Sequence, residues 1–302
     1  EVVAGTAGGK ECWQGRGSAS AAPAAAVPGL LRVVSSSDTS AEPFGAALRA
    51  ARRAKTPLLM RSAARRLPCV AGAWGGGAED TATALCERAA DAPVRAFVSP
   101  TGELWLDGGN SPRAVLTSSM SSETTLQGFL DEPAQGLGRH WPRRYLVEPL
   151  DTPACSRLAA DAKEAGFARL LSSAFGAPCR MRKFFVARGG TRTQLHRDGL
   201  DNIFVCAVGR RTFALGDEEL AIEEEPGSIS AAEAYQRPAR AASALRLEQV
   251  TLEAGDALYV PCGCWHEVEA HADQAAPYSC AVNWYFDAEL ETQVELVTKG
   301  ET

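Results

Sequence analysis

The sequence is poor in the features that most often announce a function. Its 302 residues hold no Cys-x-x-Cys pair. The nine cysteines (12, 69, 86, 155, 179, 206, 262, 264, 280) are odd in number and widely scattered. This excludes a disulfide scaffold and a zinc ribbon, and points to free, partly buried thiols in a reducing compartment. No run of about 18 apolar residues exists, so no membrane-spanning helix is expected. There is no basic excess: the net charge is −6, which argues against whole-molecule nucleic-acid binding. No secretory signal is evident, because no continuous apolar stretch follows a basic start. An intracellular location, cytoplasmic or nuclear, follows only from these absences. Histidine is scarce, with four in all (140, 196, 266, 271). The scarcity makes their positions informative.

What is present suits a globular protein with a sizeable core: 45% hydrophobic and 23% charged residues. Residues 1–42, rich in Ala, Gly and Ser with Pro23 and Pro28, read as a poorly ordered tail. An Ala/Ser-rich leader also has transit-peptide composition, against which Glu1, Glu11, Asp38 and Glu42 count. Residues 43–302 read as one domain. Within it, 43–142 form an α/β flank: a helix over Gly45–Ala54, a strand at Pro57–Met60, a helix over Thr81–Ala90 and a strand at Val94–Val98. Ser121 or Ser122 is expected to cap a helix at Leu126–Leu130. Thr152–Leu171 reads as helix broken near Gly166. From Met181 onward the pattern changes to short strands with glycine-containing turns, which predicts a mainly β core, a double-sheet jelly roll over 143–287 with flanking helices. Ile203–Val208 and Arg211–Leu215 look like a hairpin about Gly209-Arg210. The last residues, 288–302, are a short tail or helix, and so little chain beyond the core favours a monomer.

Two charged stretches stand out. Arg49 to Arg66 carries seven basic and no acidic residues, either a patch for RNA or another acidic partner, or a solvated face; no aromatic residue is interleaved for base stacking. The long insert from Gly216 to Arg246 holds Asp217, Glu218, Glu219, Glu223, Glu224 and Glu225. A loop of that length suits an active-site lid, and its acids suit a basic substrate or simple solvation.

The chemistry gathers at Thr193-Gln194-Leu195-His196-Arg197-Asp198 and at Gly255 to His266. On an extended strand His196 and Asp198 project to one side, roughly 7 Å apart at Cα. His266 ends a second strand-turn-strand segment. Two histidines and one carboxylate on one face of a metal form the ligand set of non-haem Fe(II) oxygenases. A zinc site from Cys262, Cys264, His266 and His271 has the wrong spacing. Trp265 is assigned to packing.

These residues resemble the JmjC-type family of cupin-like Fe(II)- and 2-oxoglutarate-dependent oxygenases, in the branch of small JmjC-only hydroxylases. The resemblance runs from about Tyr145 to Phe286 and, more weakly, back to Pro43. It rests on Thr193, His196, Asp198, Asn202 and a basic residue fifteen after His196, on the Gly-Asp…Val-Pro…Trp-His run, and on Val282-Asn283-Trp284. It implies His196, Asp198 and His266 as iron ligands and catalytic centre. It implies Arg211, Thr193 and Tyr145 around the far carboxylate of 2-oxoglutarate, with Asn202 and Asn283 lining the pocket. Tyr145 has packing as its alternative. Arg211 is a departure, because the family usually has Lys there. Arg can still hold a carboxylate through two parallel hydrogen bonds. Strand alternation sends Arg210 to the other face. The activity implied is that of a dioxygenase using Fe(II), O2 and 2-oxoglutarate, releasing succinate and CO2 and hydroxylating a side chain of a protein or peptide, with a basic one suiting the acidic insert. The alternatives are a tRNA-base hydroxylase, a lysine demethylase, or a non-catalytic cupin-like binding module.

Overall fold

The computed structural model describes residues 31–35, 41–75, 78–99, 103–104, 106–107, 115–116, 121–131, 143–188, 190–216, 247–271 and 278–288. The acidic insert and residues 289–302 lie outside the described residues.

In chain order the strands are β1 (Arg32–Ser35), β2 (Leu58–Arg61), β3 (Pro93–Ser99), β4 (Glu103–Leu104), β5 (Leu106–Asp107), β6 (Val115–Leu116), β7 (Ser121–Thr125), β8 (Arg143–Pro149), β9 (Met181–Arg188), β10 (Thr191–Arg197), β11 (Asp201–Val208), β12 (Arg210–Gly216), β13 (Glu248–Leu252), β14 (Ala257–Val260), β15 (Trp265–His271) and β16 (Tyr278–Phe286). They form a major sheet in the order β1-β2-β14-β11-β16-β9-β8-β3-β7 and a minor sheet in the order β13-β12-β15-β10-β4, with β5 and β6 as a separate pair. The helices are α1 (Ala41–Arg53), α2 (Ala78–Ala89), α3 (Leu126–Asp131), α4 (Ser156–Asp161) and α5 (Ala165–Phe175).

The expected double-sheet core is thus present. Every residue of β11 and β16 is buried, because one face of the major sheet meets the minor sheet and the other meets helices. On the helical side, α5 presents Phe167, Leu170, Leu171, Ala174 and Phe175, the spacing of one helical stripe. Glu164 caps it by accepting from the amides of Gly166 (2.8 Å) and Phe167 (2.6 Å), and Gly176 ends it in the left-handed region. Phe44, Leu48 and Ala51 of α1 enter the same core. Between the sheets lie Phe185, Phe204, Phe213, Leu215, Val250 and Leu258 among others; Phe204 meets Phe213 edge-on at 4.9 Å.

The structure corrects four local expectations. β11 and β12 are not a hairpin: β11 pairs with β14 and β16, and β12 with β13 and β15. Gly209, at φ +71°, turns the chain from one sheet into the other. Ser121 and Ser122 lie inside β7, and the cap of α3 is Thr125, whose hydroxyl accepts from the Gly128 amide at 3.1 Å. The helical break falls before Glu164, with Gly166 in the first turn of α5. Within residues 1–42, Arg32–Ser35 form a strand parallel to β2, and α1 starts at Ala41. Strands β2, β3 and β7 of the α/β flank extend the major sheet.

Candidate metal centre

His196 and His266 occupy opposed positions on the antiparallel strands β10 and β15. Both are buried, and their ring centroids lie 4.2 Å apart. Asp198 follows β10 directly. Its backbone carbonyl accepts from Gly263 N at 2.9 Å, which fixes it against the turn before His266. Gly263 sits at φ +82°, so that turn needs a residue free of a Cβ. His266 Nε2 is 3.8 Å from Asp198 Oδ2, and ligand atoms of all three residues lie within 4.8 Å of one another. Two atoms bound to one ion at about 2.1 Å each stand at most about 4.2 Å apart. Small rotations therefore close the set around a metal. Among the described residues this is the one such cluster; Cys262, Cys264 and His271 do not gather with His266. His271 instead bonds Thr212 Oγ1 at 2.7 Å.

The surroundings fix the ligands. His266 Nδ1–H donates to the Cys264 carbonyl at 3.0 Å. A carbonyl only accepts, so the proton must sit on Nδ1 and the Nε2 lone pair is left for a metal. Asn202 Nδ2 donates to Asp198 Oδ2 at 3.0 Å. The turn itself is tied down by the buried Asp201, whose carboxylate accepts from Cys262 N (3.0 Å), the Tyr259 hydroxyl (3.1 Å) and Arg52 Nε (3.2 Å). Burial pushes the Asp201 carboxyl up, against these donors. Asp256, of the Gly-Asp pair, accepts from Ser62 N and Arg61 and locks the start of β14 to β2. Two arginines of the basic stretch therefore serve the frame.

The remaining predicted residues converge on the inner face. Thr193 and His196 are three apart, which on a regular strand would send them to opposite faces. A bulge in β10 lies between them, where two residues of β10 face one of β15, and the side chains of Thr193 and His196 are both buried. The Tyr145 hydroxyl lies within hydrogen-bonding reach of Thr193 and Arg211. Burial raises its phenol, while the Arg211 charge and these bonds pull the other way. Arg211 is 2% exposed and Arg210 is exposed, as alternation requires. Arg211 Nε donates to Ser279 Oγ at 2.9 Å and Nη2 to the Ser279 carbonyl at 3.0 Å. Among the described residues no carboxylate pairs with it. Asn283 Nδ2 donates to the Tyr285 hydroxyl at 3.1 Å. The Oδ1 atoms of Asn202 and Asn283 are buried with no partner among the described residues. Trp265 packs under the Arg197 guanidinium at 5.2 Å, in line with a packing role.

Two residues on this face escaped the sequence reading: Ser279, as the partner of Arg211, and Tyr285. Burial, then the nearby Asp198 carboxylate, raises the Tyr285 phenol well above its ordinary range. The alternation along β16 that groups Ser279 with Asn283 reaches Tyr285 two residues later.

A family model described as a cupin-like domain matches residues 46–292. The chain belongs to the cupin-like domain family. The match covers both sheets except the edge strand β1, together with the whole candidate metal-ligand cluster, and it agrees with the JmjC-type resemblance carried by the motif residues. No curated protein matches the chain at a significant level. Among the described residues no helix is long and apolar enough to cross a membrane.

Proposed function

We propose that this cupin-like protein is an Fe(II)- and 2-oxoglutarate-dependent dioxygenase that hydroxylates a side chain of a protein substrate. The observation that carries the reading is Arg211. It is a buried cation without a carboxylate partner among the described residues, on the same inner face as His196, Asp198 and His266. A buried unpaired charge is costly, so an anion is the natural occupant. Strand register sets its length. Arg211 pairs with Ala270 and Leu215 with His266, so the cation and the ligand histidine start four residues apart, roughly 13 Å along the sheet. Side chains reaching inward from both ends leave room for a short dicarboxylate.

The donor set suits iron, and the two unpartnered Oδ1 acceptors suit a polar co-substrate or bound water. Bound Fe(II) with 2-oxoglutarate would supply the oxidative chemistry. The chain would hold the metal through His196, Asp198 and His266, orient Asp198 through Asn202, and receive the far carboxylate at Arg211, Tyr145 and Thr193. A buried, aromatic-walled setting keeps water from the reacting centre.

Protein rather than RNA is favoured as substrate because the basic stretch is partly spent inside the fold: Arg52 pairs with Asp201 and Arg61 with Asp256. Neutralising the exposed Arg53, Lys55, Arg65 and Arg66 should leave turnover of a peptide substrate unchanged. An RNA substrate would instead lose affinity with a smaller salt slope.

The test of the chemistry is an anaerobic titration with Fe(II) and 2-oxoglutarate, followed by the visible charge-transfer band of the chelate. The band should form, vanish in His196→Ala, and need more than about tenfold more 2-oxoglutarate in Arg211→Ala. A wild-type protein that gives no band sinks the oxygenase reading and leaves a binding module.

A further inference from the structure

We infer that Ser279 is the positioning residue of the anion site: it clamps Arg211 from the side and so decides how the guanidinium meets a dicarboxylate. The inference rests on the oxygenase reading above.

Ser279 is fully buried on β16, in the major sheet, across the interior from Arg211 on β12, in the minor sheet. Its hydroxyl has one proton, and that proton is committed: Ser279 Oγ–H donates to the Arg210 carbonyl at 3.2 Å. The oxygen lone pairs are left facing Arg211 Nε, which donates at 2.9 Å. The Ser279 carbonyl accepts from Nη2 at 3.0 Å beside it. The two acceptors of one serine thus take the Nε–Nη2 edge of the guanidinium as a carboxylate would, but without a charge. The positive charge is held in place and not neutralised.

Arg has five N–H donors. Two are used by Ser279. The others lie on Nη1 and on the outer side of Nη2, where the Tyr145 hydroxyl is also within reach, so a carboxylate can approach Arg211 only end-on, beside Tyr145. The Arg211 Cζ also lies over the Phe204 ring, 5.7 Å from its centroid. The fork is therefore fixed on one edge before any ligand arrives. A lysine, with a rotating ammonium, would need no such clamp. The clamp is the structural counterpart of having arginine at position 211.

Gly209 makes the arrangement possible. A Cβ there would stand 2.9 Å from the Tyr278 carbonyl oxygen and 3.3 Å from Ser279 Cα. Only a bare α-carbon lets the β11–β12 turn come close enough for the Arg210 carbonyl to take the Ser279 proton.

The experiment compares two ligands by calorimetry on the anaerobic Fe(II)-loaded protein, wild type and Ser279→Ala. 2-Oxoglutarate carries a far carboxylate; oxalate chelates the metal but has none. Loss of one charge-assisted bond and of the fixed edge should weaken 2-oxoglutarate about tenfold in Ser279→Ala. Oxalate affinity should stay within about twofold, since the bond removed does not touch the metal ligands. Equal weakening of both ligands would show a general loosening and overturn the inference, as would an unchanged 2-oxoglutarate affinity in the variant. In either case the oxygenase reading survives if the wild type binds both ligands. A wild type that binds oxalate but not 2-oxoglutarate overturns the clamp's proposed role and the co-substrate together, and one that binds neither sinks both at the metal.

Discussion

His196 and His266 face each other across the β10–β15 ladder with ring centroids 4.2 Å apart. Two buried rings so close, on opposed strands, are placed to hold one metal ion between them. Replacing His196 by Ala should lower metal affinity more than about a hundredfold, since even supporting residues cost up to that much. Metal content after dialysis, with far-UV circular dichroism as the fold control, checks it. Full retention of iron would remove His196 from the centre.

Asn202 would act on a bound metal through Asp198, to which its amide donates. Asn202→Ala should leave the fold intact and reduce metal affinity about 10- to 100-fold. A competition titration with a coloured chelator reads this directly. An unchanged affinity would mean that Asp198 is held by its backbone bond to Gly263 alone.

Gly209 combines a left-handed backbone with backbone atoms where a Cβ would stand. Gly209→Ala should destabilise the fold by more than about 1–2 kcal/mol, the cost of the left-handed region for an L-residue alone. Urea unfolding measures it. An unchanged midpoint would show that the turn can relax away from β16.

Glu164 caps α5, and its acidity reflects a contest. Burial raises its pKa, but the amides of Gly166 and Phe167 and the charges of Arg169 and Arg66 outweigh it, leaving the carboxyl below its ordinary 4.5. A lowered carboxyl stabilises the fold above the unfolded value and loses that contribution as pH falls through the folded one. Glu164→Ala should therefore cost about 1 kcal/mol at pH 7, shrinking below pH 4.5. Thermal melts of both proteins across pH 3–7, as about ten paired scans, test the convergence.

The thiols of Cys69, Cys206 and Cys280 are pushed by burial up to about 12. At pH 8 only about one in ten thousand would be thiolate, so all three should resist alkylation in the native protein and react in urea. Mass mapping after a short iodoacetamide pulse distinguishes them. Native labelling at Cys206 would contradict a packed interior between the sheets.

The sequence made the candidate metal cluster legible because two of only four histidines fall at spacings that chemistry constrains. The strands of the core were legible for a related reason: alternation along β16 correctly divides Ser279, Ala281 and Asn283 from Cys280, Val282 and Trp284. What failed was long-range pairing. Ile203–Val208 and Arg211–Leu215 have the local look of a hairpin, and nothing local says that Gly209 sends them to different sheets. Ser121 and Ser122 carry capping chemistry but are recruited by β3, a tertiary preference overriding a local one. The bulge in β10 is likewise invisible locally; its trace is the odd spacing of Thr193 and His196, both needed inside.

His196, His266, Thr193 and Arg211 all stand on the minor sheet, whereas Asn202, Ser279, Asn283 and Tyr145 stand on the major one. The buried cation and the paired histidines thus belong to one layer, and most of their neutral partners belong to the other. A small slip of the layers would spare His196 and His266, which share a ladder, yet would pull Ser279 from Arg211. If the proposed function holds, damage to the packing between Phe204 and Phe213 should therefore surface first as poor binding of 2-oxoglutarate, with metal binding retained.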